Sequence, residues 1–217
     1  NSKKLDLSSI KIITSTGSPL AEESFKYVYK NIKRDVHLAS IAGGTDLVGC
    51  LVLGNLYSNV HKGEIQGQSL GIDVDVFTDN GKSTKDGDKG ELVVKKPFPS
   101  MPVKFWGDND GQKYHKAYFT RFENIWHHGD FIERTSNNGF IMRGRSDSTL
   151  NPGGVRIGTS EIYQQVEDID FITEGLVVGQ DFKDDVRIIL FVTTKNNQEL
   201  DDEKVKSIKA RIRINCS

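Results

Sequence analysis

The sequence predicts an α/β chain in two parts. Residues 1–146 read as a helix-flanked sheet followed by a small β-barrel or sheet. Residues 147–217 read as a small, truncated α+β unit. Three observations predict this. A β-branched run, a tight turn and a helical pattern follow one another between residues 10 and 32. Between residues 64 and 94 the apolar period changes to two, with turn residues between short runs. Beyond Leu150 the order is helix, strand, strand, helix. Strand–turn–helix is the ground plan of an α/β sheet, whereas a period of two marks strands with one buried face.

The elements follow in order. Residues 10–13 form a β-branched run that ends at Thr14-Ser15-Thr16-Gly17. Ser18 suits an N-cap, Pro19 the first helical position, and Glu22 and Glu23 the positive end of the helix dipole. Ala21, Phe25, Val28 and Ile32 mark one helical face. Ligands of α/β sheets gather at the carboxyl ends of the strands. Gly17-Ser18-Pro19 therefore lies where a ligand is expected, and serves equally well as a plain connector. Residues 36–42 read as a second strand, ending in a polar turn, Gly43-Gly44-Thr45-Asp46. Glycine lets a backbone approach a ligand, a hydroxyl can bond a phosphate oxygen, and a carboxylate can hold Mg²⁺. The same four residues also make an ordinary turn.

In the period-two region, Ile72, Val74, Val76 and Phe77 nearly alternate with Asp73 and Asp75. Asn80-Gly81 reads as a turn and residues 91–94 as a strand, with Asp75 and Glu91 on solvated faces. Gly81-Lys82-Ser83 resembles the end of a phosphate loop, but Val76 stands where its first glycine belongs. Asp108-Asn109-Asp110-Gly111 lacks the closing glutamate of a calcium loop, since Phe119 occupies that position. His127 and His128 are adjacent on a strand and face opposite ways, with no carboxylate or cysteine suitably spaced, so structural roles are expected.

The densest chemistry lies between residues 125 and 163. Asn138-Gly139 sits between two short runs, 130–134 and 140–143, and predicts a hairpin with a type I′ turn. Such a hairpin brings its open ends together, one carrying Asp130 and the other Arg145. Asn151-Pro152-Gly153-Gly154 follows, then Arg156. Thr159 and Ser160 offer N-caps to a helix whose apolar face is Ile162, Val166 and Ile169. Residues 176–178 and 186–193 read as strands. Val205, Ile208 and Ile212 mark a last helix, with Lys204, Lys206, Lys209 and Arg211 on its solvated side.

Composition excludes several classes. With 27 % charged and 36 % hydrophobic residues, the chain is a soluble globular one rather than disordered. A net charge of −1 argues against nucleic acid as the main partner. No apolar run is long enough to span a membrane. The two cysteines, Cys50 and Cys216, lie far apart, which points to a reducing compartment and thus to the cytosol.

Taken together, Ser40-Ile41-Ala42-Gly43-Gly44-Thr45-Asp46, His128-Gly129-Asp130, Gly144-Arg145-Ser146-Asp147 and Gly153-Gly154-Val155-Arg156, in this order, resemble the adenylate-forming acyl-CoA synthetases. The stretch from His61 to Val74 is most similar to their acetoacetate-activating branch. The resemblance covers nearly the whole chain. It implies a ligase that uses ATP and Mg²⁺ to convert acetoacetate to an acyl-adenylate and then to the CoA thioester, with no obligatory protein partner. It implies that Gly17, Ser18 and Pro19 line the adenine and that Gly43, Gly44 and Thr45 border the acyl group and the phosphates. Asp46 would link to Mg²⁺, in place of the usual glutamate. Asp130 and Arg145 would hold the ribose, and Arg156 the α-phosphate. Thr45 and Arg156 would thus be catalytic. Asn151, Gly153 and Gly154 would lie near the pantetheine of CoA, with Asp147 as hinge. Ser148 stands where many members carry a second acid. In acetyl-CoA synthetases a tryptophan matches Gly43, so glycine implies a roomier acyl pocket. The family's phosphate-gripping loop and catalytic lysine match no residue of this chain, so it reads as an inactive fragment of a longer enzyme. A synthetase for another short acid, and a non-catalytic nucleotide-binding domain, are the alternatives.

Overall fold

The computed structural model describes residues 5–150, 152, 156–167, 169–183 and 185–216, and it divides into two compact units between Met142 and Arg143. In the first unit, strands β1 (Ile12–Ser15) and β2 (His37–Ser40) pair in parallel, from Ile12↔His37 to Ser15↔Ser40. Helix α1 (Glu22–Tyr27) lies between them in the chain and continues as a π-helical turn over Val28–Ile32. This is the expected strand–helix–strand plan. The helix nevertheless starts later than predicted. Its N-cap is Ala21, in extended conformation with no side-chain cap, so Ser18 and Pro19 belong to the connection. Gly17 accounts for this. Its φ of +93° turns the chain in the left-handed region, and the backbone is still extended at Ala21.

The second predicted strand is cut short. At Ile41 the chain leaves the parallel pair and enters an antiparallel hairpin, β3 (Ala42–Gly44) and β4 (Gly49–Leu53), to which β5 (Gly67–Gln68) adds. Gly43 and Gly44 are therefore strand residues, and the turn is Thr45–Val48. A second sheet holds β6 (Val74–Phe77), β7 (Lys89–Val94), β8 (Trp126–Arg134) and β9 (Phe140–Arg145), hydrogen-bonded in that order. Helix α2 (Gln112–Tyr118) precedes β8. No closed barrel forms among the described residues, contrary to one of the two expectations. Among the described residues, the backbone link between the two antiparallel sheets of this unit is the bridge Ile65↔Phe140, with N–H···O distances of 2.7 and 2.8 Å. One bridge does not extend a ladder.

Alternation along the strands buries Leu51, Val52, Val76, Leu92, Trp126 and Ile132 in one core that draws on both sheets. The expectation that Asp75 and Glu91 face solvent fails. Asp75 is 5 % exposed and Glu91 0 %. Their face of the sheet is covered by cationic and hydroxyl partners, which is the condition for burying a charge. Asp75 accepts from the Ser83 hydroxyl (2.7 Å) and the Val76 amide (2.8 Å), and pairs with Lys95 (3.1 Å) and Arg134. Glu91 pairs with His127 (2.8 Å) and Arg121 (3.4 Å).

The hairpin at Asn138-Gly139 forms, but with a five-residue connection rather than a type I′ turn. Asn138 takes a positive φ of 59°, and Gly139 does not. Thr135 accounts for the wider turn. Its amide donates to the Gly139 carbonyl (3.0 Å), and its hydroxyl accepts from the Gly139 amide (3.1 Å). The same hydroxyl donates to Glu64 (2.8 Å), tying the loop to the segment before β5.

The second unit follows the predicted order: α3 (Thr159–Glu167), β10 (Ile172–Phe182), β11 (Asp185–Thr194) and α4 (Asp202–Cys216). Both strands are longer than expected, paired antiparallel from Ile172↔Thr194 to Phe182↔Asp185. Thr159 and Ser160 lie inside α3 rather than capping it. Glu161 supplies the cap instead, its carboxylate accepting the Gly158 amide at 2.9 Å. Ile162, Val166 and Ile208 are buried between the helices and the hairpin. None of the described helices is long and apolar enough to cross a membrane.

Burial pushes the Asp75 carboxyl up, but hydrogen bonds from Ser83 and Val76 and the charge of Lys95 outweigh it and hold it below its ordinary value. A carboxyl depressed in the folded state stabilises above its unfolded pKa of about 3.9, and that contribution is lost as pH falls through the folded value. Asp75→Asn should therefore lower stability at pH 7. Its thermal unfolding temperature should also fall less steeply than that of the wild type between pH 5 and pH 3. A variant that tracks the wild type at every pH would contradict this.

Candidate functional site

The first unit assembles its polar chemistry on one face of β8. Trp126, His128 and Asp130 line up on that face through their side-chain contacts, although Gly129 at a φ of +82° and a register shift against β7 interrupt the regular alternation there, and His127 points to the other face, against Glu91. All three are buried, Trp126 at 1 % and Asp130 at 7 % exposure. The Trp126 indole N–H donates to Nδ1 of His128 (3.4 Å). A neutral imidazole that accepts at Nδ1 carries its proton on Nε2, which faces Asp130 Oδ2 at 3.7 Å. His128 thus meets the carboxylate two residues along its own strand, a contact that the structural role expected for it accommodates.

The β3–β4 hairpin packs onto this row through Gly44. A Cβ on Gly44 would stand 3.1 Å from His128 Cε1 and 2.1 Å from Asp46 Oδ1. Asp46, one residue past Thr45 in the turn, folds its carboxylate back over the space that glycine leaves. There Asp46 Oδ2 accepts the hydroxyl of Tyr118, at the end of α2. The Tyr118 ring stacks on Trp126, with centroids 3.7 Å apart and planes 12° from parallel. Gly44, Asp46, Tyr118, Trp126, His128 and Asp130 therefore form one contact chain. The turn is held under strain, because Val48 takes a φ of +49°, which β-branched residues avoid.

Gly43 has a reason of its own to be glycine. A Cβ there would stand 2.1 Å from the Gly49 carbonyl oxygen and 2.5 Å from Cys50 Cα, where β3 meets β4 at a register shift. Gly17, Ser18 and Pro19 lie at the carboxyl end of β1, where strand-end binding was expected, with Gly17 and Ser18 exposed.

The remaining predicted residues belong to the second unit. Arg145 closes β9 and its guanidinium lies 3.7 Å from Asp147, in a single 3₁₀ turn, Ser146–Ser148. Arg156 is tied to the same turn. Its Nε donates to the Thr149 hydroxyl (3.0 Å), and Nη2 reaches the Ser146 carbonyl (3.5 Å). Leu150 and Ile157, on either side of the glycine-rich stretch, bridge with paired N–H···O bonds of 2.8 Å. Asn151, Gly153 and Gly154, expected on that loop, lie outside the described residues. Asp130 and the two arginines thus sit in different units.

The site contains residues that sequence reasoning missed. Tyr118 carried no signal, since it meets Asp46 across 72 positions. His128 could have been found from the spacing of Trp126, His128 and Asp130 on a strand. Failed motifs resolve structurally. Asp108 accepts the amides of Lys113 and Tyr114 and so caps the start of α2. No group of three or more ligating side chains forms among the described residues, so no self-contained metal cage is present. A lone exposed carboxylate such as Asp46 fits the hard cation that accompanies a nucleotide, because Mg²⁺ takes one or two carboxylates and completes its shell with water and phosphate.

No protein-family model matches the chain. It is 58 % identical over 212 residues to an acetoacetyl-coenzyme A synthetase of Rhizobium meliloti (strain 1021), covering 98 % of this chain and 32 % of that protein. It is 45 % identical over 214 residues to the acetoacetyl-CoA synthetase of Gallus gallus, with the same two coverages. Among solved structures it matches an acetoacetyl-CoA synthetase from Streptomyces lividans with a TM-score of 0.84 and 39 % identity, over 98 % of this chain and 32 % of that one. An anthranilate CoA ligase in complex with anthranoyl-AMP shares the fold, with a TM-score of 0.76 at 17 % identity over 98 % of this chain and 39 % of its own. The chain spans about a third of the length of the curated relatives it matches.

The packing at Gly43 predicts that Gly43→Ala destabilises the protein by about 1–3 kcal/mol, as overpacking does elsewhere. Gly67→Ala, whose Cβ would stand 3.4 Å from Asn55, should cost markedly less in the same thermal unfolding experiment. Equal stabilities for the two variants would refute the backbone role of Gly43.

Proposed function

We propose that the full-length protein is an ATP-dependent, AMP-forming acid–thiol ligase acting on acetoacetate. The observation that carries this is the contact of the Thr45–Asp46 turn, through Gly44, with the His128–Asp130 row of β8. Two carboxylates of different duty, one exposed and one buried, share one neighbourhood beside a turn hydroxyl. The names of the relatives support the same reading.

A carboxylate is a poor acyl donor, because its charge repels nucleophiles and oxide is a bad leaving group. In the first half-reaction the acetoacetate oxygen attacks the α-phosphorus of ATP, and pyrophosphate leaves with the bonding pair. In the second, the CoA thiol attacks the acyl carbon, loses its proton, and AMP leaves. In this reading Asp130 accepts both ribose hydroxyls and Arg145 grips the ribose from the other side. Gly17, Ser18 and Pro19 line the adenine. Thr45 donates to a phosphate oxygen, and Asp46 would hold a Mg²⁺, which when bound would supply positive charge to the phosphates. Arg156 offers a permanent charge to the α-phosphate as it develops. Gly43 and Gly44 border the acyl group, and Asn151, Gly153 and Gly154 meet the pantetheine. The carboxyl-terminal unit turns at Asp147 so that two half-reactions use one nucleotide site. The domains then run 1–146 and 147–217, as parts of a large adenylate-forming domain and a small one, in a cytosolic enzyme.

Carboxylate-dependent pyrophosphate exchange by the full-length protein tests the activity. Acetoacetate should be preferred over acetate and longer acids. Exchange with none of them would refute the reading. Asp130→Ala should weaken ATP binding. Arg156→Ala should slow adenylation by ~2–4 kcal/mol in barrier terms. Thr149→Val removes the bond that Arg156 makes here while keeping its charge, and should spare the rate. Loss with Thr149→Val equal to that with Arg156→Ala would mean that Arg156 acts only through the turn. Asp147→Pro should keep exchange and lose thioester formation, because a fixed φ resists the rotation. Equal loss of both steps would refute the hinge.

A further inference from the structure

We propose that Tyr118 is a positioning residue for Asp46, and that with Trp126 it forms a rigid platform on which the metal-bearing carboxylate of the β3–β4 turn is aimed. This rests on the reading of Asp46 given above. Asp46 stands in an exposed turn, and nothing in its own hairpin holds its side chain in one rotamer. An aspartate there is one methylene shorter than the glutamate usual in the resembling enzymes, so its reach depends on where its carboxylate is held.

Three observations supply the hold. The Tyr118 hydroxyl donates to Asp46 Oδ2. Gly44 leaves open the space that Oδ1 occupies, since a Cβ would stand 2.1 Å from it. And Tyr118 itself cannot swing. Its ring lies flat on Trp126 at 3.7 Å and meets Phe105 and Tyr114 edge-on at 5.8 and 5.5 Å. Trp126 is in turn fixed, fully buried against Phe98 and donating its indole N–H to His128. One oxygen of Asp46 is thus committed to a neutral donor, and the carboxylate plane is set by a side chain with little rotamer freedom left. A carboxylate oriented by a hydrogen bond to its other oxygen binds a cation without first losing that freedom, which is how outer partners tune a metal ligand. The arrangement also joins the two duties of the site. The aromatic platform that aims Asp46 is the row that continues through His128 to Asp130.

The test uses Mn²⁺ as the metal probe, with the full-length protein and a non-hydrolysable ATP analogue. Mn²⁺ affinity is read by electron paramagnetic resonance at equilibrium, so no turnover is needed. Tyr118→Phe keeps the stack on Trp126 and removes only the hydroxyl. It should weaken Mn²⁺ binding in the ternary complex by about tenfold, in the range measured when outer partners of metal ligands are removed. Analogue affinity without metal should be unchanged. Asp46→Asn should weaken Mn²⁺ at least as much, and the double variant no more than Asp46→Asn alone. If Asp46→Asn weakens the metal and a folded Tyr118→Phe does not, the positioning role is overturned while the metal reading stands. If Asp46→Asn leaves Mn²⁺ affinity unchanged, the metal reading falls and this inference with it. Tyr118→Ala, which also removes the stack, gives the check on folding. A thermal unfolding temperature lowered in Tyr118→Ala but kept in Tyr118→Phe, with the metal weakened in both, supports the inference. Equal destabilisation of the two, with no metal effect beyond it, overturns it.

Discussion

Burial of Trp126 is the constraint on which the first unit depends. Its indole is the largest fully buried side chain among the described residues, and it touches residues from three places in the chain: Phe98, the two tyrosines and Phe119 of the α2 region, and His128 on its own strand. Aromatic pairs at these tilted and edge-on geometries each add about 0.5–1.5 kcal/mol beyond their area. The larger effect is geometric. Because Trp126 begins β8, fixing it fixes the phase of the strand, and a strand shifted by one residue exchanges its faces. Trp126 inward means His128 and Asp130 on the same side, and His127 on the side of Glu91.

The opposite face obeys a second condition. It carries two buried carboxylates, each paired with groups on neighbouring strands or loops. Glu91 has His127 and Arg121, and Asp75 has Arg134, Lys95 and Ser83. Such groups add little net stability against an apolar core of the same shape, but leaving one of them unpaired is expensive. They therefore act on register. Sliding β8 against β7 by one residue would remove His127 from Glu91 and Arg134 from Asp75 at once. The apolar face and the charged face thus specify the same alignment, and the candidate site inherits its order from both.

The second unit reaches its own site by a different route. Among its described residues no aromatic side chain is buried. Leu150 and Ile157 bridge across the glycine-rich stretch, and Arg156 is tied to the turn at Ser146–Thr149.

How much of this was legible depends on the range over which each signal acts. Local chemistry was readable. The β-branched run at β1, the Asn138-Gly139 turn, the apolar faces of Ile162 and Val166 and of Ile208, and the order of the four motifs all act over a few residues. The same range explains the local errors, since Ser18 and Thr159 are good caps that lost to a left-handed Gly17 and to Glu161. Only the tertiary structure decided the rest. It set whether Asp75 and Glu91 are buried, whether two sheets close into a barrel, why Gly43 has no room for a side chain, and that Tyr118 meets Asp46. Except at Gly43, which meets Gly49 and Cys50 across its own hairpin, each of these turns on a partner tens of residues away. Side-chain periodicity says which way a residue points, but what it meets there is set by the packing of other segments.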